Sequence, residues 1–169
     1  MKDALKRIKV FAMDVDGVLT DGRIIIDSQG VETKDFDVQD GFGIVFLNKC
    51  GIKTAIISAR ASGVVAYRTK DLKIDKAYVG VYPKLSAYED MLREFKVSDE
   101  EVCFIGDDVA DLTIMRRCGI AIAVANAVFE VKQISDYVTT KQGGRGAVRE
   151  AIELILKAQG HWSPQLYEH

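Results

Sequence analysis

Four stretches of this sequence place acidic, hydroxyl or cationic side chains where an apolar run stops. The first is Asp14-Val15-Asp16-Gly17-Val18-Leu19-Thr20, directly after Ile8-Lys9-Val10-Phe11-Ala12-Met13. Residues i and i+2 of an extended chain point to the same side. Two carboxylates at the end of a buried strand are costly unless a cation or hydrogen bonds satisfy them. Gly17 allows a sharp turn and a close backbone approach to a ligand. The competing reading is a plain turn with a capping aspartate, which leaves the second acid and the glycine without a purpose.

The second stretch is Ser58, after Ile56-Ile57 and before Ala59-Arg60. A hydroxyl where a strand enters a helix can bind a phosphoryl oxygen with the help of helix-start N–H groups; it can equally be an N-cap. The third is Lys84, after Tyr82-Pro83, which alone reads as a solvated lysine. The fourth is Gly106-Asp107-Asp108-Val109-Ala110-Asp111, after Val102-Cys103-Phe104-Ile105. Three acids within five residues at a strand end make an oxygen-rich site suited to Mg²⁺. Asp108 and Asp111 also fit the acidic first turn that a helix dipole favours. The set of four is far more specific than any member.

The residue inventory excludes other chemistries. The only histidines, His161 and His169, lie in the last nine residues, so a Ser/His/Asp hydrolase or a multi-His zinc site in the folded body is ruled out. The three cysteines, Cys50, Cys103 and Cys118, are widely spaced and form no C-x-x-C; they read as reduced core residues of a cytosolic protein. With 23 Lys+Arg against 25 Asp+Glu, the chain has no general electrostatic grip on nucleic acid or anionic lipid. The N-terminus lacks a signal-peptide apolar stretch, and Gly119 to Ala125 is far short of the ~20 residues needed to span a bilayer. The expectation is a cytoplasmic protein with neither nucleic-acid nor membrane partners.

Positioning these stretches requires a regular scaffold. The length of 169 residues fits one domain over 1–169, able to bury roughly 70% of its unfolded surface. Buried strands are expected at Ile8–Met13, Ile52–Ile57, Lys76–Val79, Val102–Ile105, Ile120–Val124 and Tyr137–Thr139. Helical patterns lie between them: Phe42–Cys50 capped by Asp40, Ser62–Leu72, Lys84–Phe95, Leu112–Cys118 and Ala147–Ala158. Strands separated by helix-length patterns predict an α/β fold, a three-layer parallel sheet of Rossmann-like form. One segment breaks the alternation: Arg23–Asp27, Ser28-Gln29-Gly30 and Val31–Phe36 read as a β-hairpin. At this ligand-facing edge the hairpin, 22–37, serves as a flap or as an oligomer contact; its isoleucines favour the contact. Gly143-Gly144-Arg145-Gly146 reads as a turn into the last helix. Residues 159–169 read as a tail that, through the single Trp162, could dock into an adjacent subunit's site.

Asp14-x-Asp16-Gly17-x-x-Thr20, Ser58, Lys84 and Gly106-Asp107-Asp108-x-x-Asp111 resemble, in order and spacing, the four motifs of the haloacid dehalogenase-like (HAD-like) phosphatases. The hairpin, Phe36-Asp37-Val38-Gln39-Asp40-Gly41-x-Gly43, Gly143 to Glu150 and Ala158-Gln159-Gly160 narrow the resemblance to the 3-deoxy-D-manno-octulosonate 8-phosphate (KDO 8-phosphate) phosphatase family. That resemblance covers nearly the whole chain. It implies a small, capless, homotetrameric enzyme of lipopolysaccharide biosynthesis.

The resemblance assigns roles residue by residue. Asp14 would attack phosphorus to form an aspartyl-phosphate. Asp16 would protonate the leaving sugar oxygen and then deprotonate the hydrolytic water. Mg²⁺ would be held by Asp14, the Asp16 carbonyl oxygen and Asp107. Ser58 and Lys84 would hold the phosphoryl oxygens, and Asp111, with Asp108 beside it, would orient Lys84 or the metal's surroundings. Arginine suits a substrate carboxylate through its planar fork. Arg60 is expected at the mouth of the site, with Arg68 about two helical turns on. The resemblance gives the sugar contacts to Asp37, Val38, Gln39, Asp40 and Gly41. Val45 departs from it, since an arginine is expected there in close relatives. A sialic-type nine-carbon acid 9-phosphate is the alternative substrate. A receiver-like phospho-acceptor domain is the alternative of another class, but there the paired acids bind metal and the acceptor aspartate lies on a later strand. An inactive interaction module would not need four intact motifs.

Overall fold

The computed structural model describes residues 1–163. A short helix α1 (Lys2–Leu5) leads into β1 (Val10–Met13), the hairpin strands β2 (Ile25–Ile26) and β3 (Glu32–Thr33), α2 (Val38–Lys49), β4 (Lys53–Ser58), α3 (Gly63–Asp71) and β5 (Lys76–Val79). Then follow α4 (Leu85–Phe95), β6 (Val102–Gly106), α5 (Leu112–Met115), β7 (Ile120–Ala123), α6 (Phe129–Ile134), β8 (Tyr137–Val138) and α7 (Ala147–Ala158). Six strands form one sheet in the order β5-β4-β1-β6-β7-β8, and every pairing in it is parallel.

The central strands β1, β6 and β7 are buried along their whole length, as is β4 after its first residue. That is what a sheet covered on both faces demands, and it explains their continuous apolar runs. From β1 the chain moves outward to β4 and β5, then returns across the sheet to β6, β7 and β8. Right-handed crossovers in opposite directions put their helices on opposite faces. Accordingly α2 packs on α7, and α4 packs on α5. The direction of winding reverses between β1 and β6, so the loops leaving those two strands diverge and open a crevice at the sheet's carboxyl edge. Met13 pairs with Ile56 on one side and Ile105 on the other. This register brings Asp14, Ser58 and Asp107 out at the same edge.

The expected strands are present, with ends shifted by a residue or two. Three helix expectations need correction. α2 begins at Val38, and its cap is Asp37, whose Oδ1 accepts from the Gln39 and Asp40 amides at 2.6 and 3.4 Å. Asp40 lies inside the first turn and cannot cap. The expected Leu112–Cys118 helix starts at Leu112, after a 3-10 turn over Val109–Asp111, but is four residues long, because the Arg117 amide already donates to the Ile114 carbonyl three residues back at 2.9 Å and ends the regular ladder. α6 was not foreseen. The hairpin ladder pairs only Ile25 with Thr33 and Ile26 with Glu32. Its turn is stapled by Asp27 Oδ1, which accepts from the Gln29 and Val31 amides at 2.9 and 2.8 Å.

Candidate active site

Asp14 leaves β1 with its amide donating to the Ile105 carbonyl at 3.1 Å, so the first acid is tied to the neighbouring strand. Its Oδ1 accepts from the Val15 amide at 2.6 Å and its Oδ2 pairs with Lys84 Nζ at 2.7 Å. The loop that follows is stapled by Thr20. The Thr20 hydroxyl is buried, accepts from the Gly17 and Gly22 amides at 3.3 and 3.2 Å, and donates to the Val15 carbonyl at 3.4 Å. Gly17 sits at φ +89°, and a Cβ there would overlap the Asp107 carboxylate. Only a glycine lets the first and fourth stretches close on each other. Gly143 and Gly144 pack on the other side of this loop, with the Gly144 amide donating to the Val18 carbonyl at 2.9 Å.

Lys84 lies just before α4 with its side chain 1% exposed. Its ammonium bridges Asp14 and Asp111, each at 2.7 Å. Asp111 is fully buried, and its Oδ2 accepts from the Asp107 amide at 3.0 Å and the Asp108 amide at 3.4 Å. Both Asp111 oxygens are therefore committed. Asp108 caps the 3-10 turn, accepting from the Val109 amide at 2.7 Å, and so helps to hold Asp111 in place.

Carboxylate oxygens of Asp14, Asp107 and Asp111 lie within 4.8 Å of one another. Burial, then the charge of Asp111, pushes the Asp14 carboxyl up to about 6, although Lys84 pulls it down. Burial, then Asp14, Asp111 and Asp108, pushes Asp107 up to about 8. Burial works against the Lys84 ammonium, yet the two carboxylates outweigh it and hold Lys84 above its ordinary value. Three acids against one ammonium leave a deficit of two positive charges, which a divalent cation would cancel. Asp107 Oδ1 is buried and has no hydrogen-bond partner among the described residues. An all-oxygen set with one free carboxylate oxygen fits Mg²⁺. Asp14 and Asp107 line the cavity and can supply ligands, whereas Asp111 is fully buried and is not part of its lining.

A cavity of about 190 Å³ is lined by Asp14, Asp16, Ser58, Ala59, Arg60, Lys84, Asp107, Asp108 and Ala110. Ser58 ends β4 and is buried. A depression of about 340 Å³ lies at the opposite, amino edge of the sheet, lined by Lys6, Arg7, Lys9 and Gln159 among others. Size does not decide between them, because the carboxylates gather in the smaller one.

Two site residues were missed in the sequence. Lys34 Nζ forms an ion pair with Asp16 and lies 3.4 Å from Glu32 Oε1, its side chain 1% exposed. Glu32 Oε1 pairs with Arg60 Nη2 at 2.9 Å, and its Oε2 accepts from Ser62 Oγ. The Ser62 hydrogen bond, with Lys34 and Arg60, keeps the Glu32 carboxyl below its usual range. The alternation in Val31-Glu32-Thr33-Lys34 was the available signal, since i and i+2 share a side. The hairpin thus turns its charged side to Asp16 and Arg60 of the cavity lining, while Ile24, Ile25, Ile26 and Val31 are exposed.

The remaining expected residues do not line this cavity. Val38, Gly41 and Arg68 line a separate depression of about 270 Å³ with Phe42, Val45 and Leu72. Arg68 pairs with Asp71 at 2.6 Å and stacks 5.4 Å from the Phe36 ring centroid. Gln39 is exposed and Asp37 is the helix cap. Asp40, expected as a sugar contact, is instead 1% exposed and accepts from the Arg149 amide at 2.7 Å. It belongs to the α2–α7 contact, where the first turn of α7 offers free N–H groups. Trp162 packs on its own chain, with Arg149 4.7 Å from its ring centroid and Phe46 edge-on at 5.8 Å; tail residues 164–169 lie outside the described residues. Among the described residues, no helix is long and apolar enough to cross a membrane.

Comparison with known proteins adds an independent measure. The family model for haloacid dehalogenase-like hydrolases matches residues 81–152. The 3-deoxy-D-manno-octulosonate 8-phosphate phosphatase of Haemophilus influenzae is 41% identical over 160 residues, covering 95% of this chain and 89% of that protein. The crystal structure of the Moraxella catarrhalis enzyme of the same name, in complex with magnesium, phosphate and KDO, superposes with a TM-score of 0.92 at 46% identity. It covers 94% of this chain and 91% of that one. The Yersinia pestis enzyme superposes with a TM-score of 0.93 at 40% identity, covering 95% and 86%.

Proposed function

This chain belongs to the 3-deoxy-D-manno-octulosonate 8-phosphate phosphatases, within the haloacid dehalogenase-like hydrolases, and we propose on that premise that it hydrolyses KDO 8-phosphate to KDO and inorganic phosphate in lipopolysaccharide biosynthesis. One observation carries the chemistry: a buried Asp14 carboxylate, ion-paired to Lys84 at 2.7 Å, shares a cavity with Asp16, Ser58 and Asp107.

Asp14 attacks phosphorus, and the bond from phosphorus to the sugar oxygen breaks as the aspartyl-phosphate forms. Asp16 gives its proton to the departing oxygen. It then takes a proton from a water whose oxygen attacks the same phosphorus, which frees phosphate and restores Asp14. Ser58 and Lys84 hold the transferred oxygens, and the Asp111 tether fixes the Lys84 ammonium where charge develops. The cofactor is Mg²⁺, which Asp14, Asp107 and the Asp16 carbonyl oxygen would hold; when bound it would offset the repulsion between an anionic carboxylate and a dianionic phosphate.

We assign the exposed face of the hairpin to a contact between copies in a homotetramer. The isoleucines there are 48–57% exposed, and a capless site needs a neighbour to close it. Asp37, Val38, Gln39, Gly41 and Arg68 serve that shared boundary with the sugar. The near balance of charge supports a chain without nucleic-acid or membrane partners, and its free cysteines support work in the reducing cytoplasm.

The deciding measurement is kcat/KM on KDO 8-phosphate, a sialic-type nine-carbon acid 9-phosphate and hexose phosphates. KDO 8-phosphate should lead by at least about tenfold, or ~1.4 kcal/mol of transition-state binding. Preference for either other class would overturn the assignment.

A further inference from the structure

Arg60 is the arginine of the cavity, and two of its features need explanation. Its Nη2 is held by Glu32 at 2.9 Å. Its Nη1 is buried and has no partner among the described residues. A buried N–H donor left without an acceptor costs ~1–3 kcal/mol, so the pocket calls for an acceptor from outside the chain. Glu32 is in turn steadied from the opposite loop. Ser62 stands at the cap position of α3, but its side chain makes no cap bond there; its hydroxyl donates to Glu32 instead. An unrestrained arginine side chain carries ~2 kcal/mol of rotamer entropy, and a carboxylate fixed at its far end removes that freedom before a ligand arrives.

We propose that Glu32 is a positioning residue for substrate selection: it holds Arg60 so that the free nitrogen receives the carboxylate of a phosphorylated sugar acid. This rests on the reading that the substrate bears such a carboxylate. A neutral sugar phosphate makes no use of that nitrogen, so Glu32 acts on the choice between the two classes.

The test is a double-mutant cycle on the Mg²⁺-loaded enzyme, with kcat and KM for KDO 8-phosphate and for a hexose 6-phosphate. Glu32→Gln keeps an acceptor but removes its charge. It should lower the ratio of kcat/KM values by about tenfold, mainly through KM for KDO 8-phosphate. Arg60→Ala should lower the ratio at least as far, and the double variant no further than Arg60→Ala alone. Ser62→Ala leaves Glu32 in place but unsteadied and should lower the ratio by about threefold; it serves if Glu32→Gln fails to fold. An unchanged ratio in Glu32→Gln overturns the proposal, and so does an unchanged ratio in Ser62→Ala where Glu32→Gln fails to fold. Equal losses on both substrates, or independent losses in the double variant, overturn it too. A wild-type enzyme with no preference for KDO 8-phosphate defeats the functional reading as well, whereas a selective wild type with an indifferent Glu32→Gln defeats this inference alone.

Discussion

Replacing Asp111 with asparagine tests the site's internal logic, because the two side chains are nearly the same size. Asp111 Oδ1 takes the Lys84 ammonium at 2.7 Å, and Oδ2 takes the Asp107 amide at 3.0 Å, with Asp108 beyond it at 3.4 Å. Every one of these partners is a donor. An asparagine has one acceptor oxygen and one NH₂ group, so whichever way the amide is turned, its NH₂ faces a donor in a fully buried place. Losing a charge-assisted bond costs ~1.5–3 kcal/mol, and leaving a buried donor unmet costs ~1–3 kcal/mol. The two overlap, and removing the Asp111 charge also eases the ionisation of Asp14 and Asp107, both of which it pushes up. A net loss of about 3 kcal/mol follows from those terms. At ~2–4 °C per kcal/mol for a chain of this size, the variant should unfold ~6–12 °C below the wild type. Circular dichroism melts in EDTA isolate the protein's own terms. Turnover with Mg²⁺ restored should fall by about 10²-fold, since Lys84 keeps one tether of two. A variant melting within about 2 °C of the wild type would show that Asp111 is not the acceptor for both partners.

Asp14→Asn should keep the fold and lose turnover to below about 10⁻² of wild type, because an amide cannot attack phosphorus; substantial residual activity in a stopped assay would remove it as nucleophile. EDTA should abolish turnover and Mg²⁺ restore it, and Mg²⁺ at about 100-fold over its dissociation constant should add ~2.7 kcal/mol to stability. Asp107→Asn should lose most of that gain, and an undiminished one would contradict its place as a ligand. Burial, above all, pushes Asp40 up to about 6 from 3.8, so the folded chain holds that proton more tightly than the unfolded one. Its contribution is therefore fully present below pH 4 and disappears as pH rises to about 6, a loss of about 3 kcal/mol. Urea unfolding from pH 4 to 7 should show a fall in stability that is smaller by about 3 kcal/mol in Asp40→Asn than in the wild type, because the raised Asp14 and Asp107 carboxyls keep their own shares of the slope; parallel curves would contradict the burial account.

The contrast between Asp14 and Asp40 shows where reading the chain in one dimension runs out. Asp14 follows a strand whose apolar run has no other end, so its place at the sheet edge is dictated locally. Asp40 sits in a segment where Asp37 and Asp40 are both good helix caps. The choice of Asp37 goes with a contact 109 residues away: the amide of Arg149 takes the Asp40 carboxylate. Lys84 and Asp111 are similar. Their types and order were readable, but their joint burial is a product of how β1, α4 and the loop after β6 converge. α6 was missed because six residues carry too little pattern to rise above loop composition.

What the chain alone determined is the parallel sheet, the order of its loops and the identity of the acids at their ends. Those follow from apolar runs and from glycines that no other residue can replace at close approach. What only three dimensions decided is the partnership of charges across loops. Asp14 and Asp111 share Lys84, and a hairpin read as an apolar contact places Lys34 on Asp16 and Glu32 on Arg60. An ion pair is fixed by distance and by exclusion of water, and neither exists until the strands have brought the loops together.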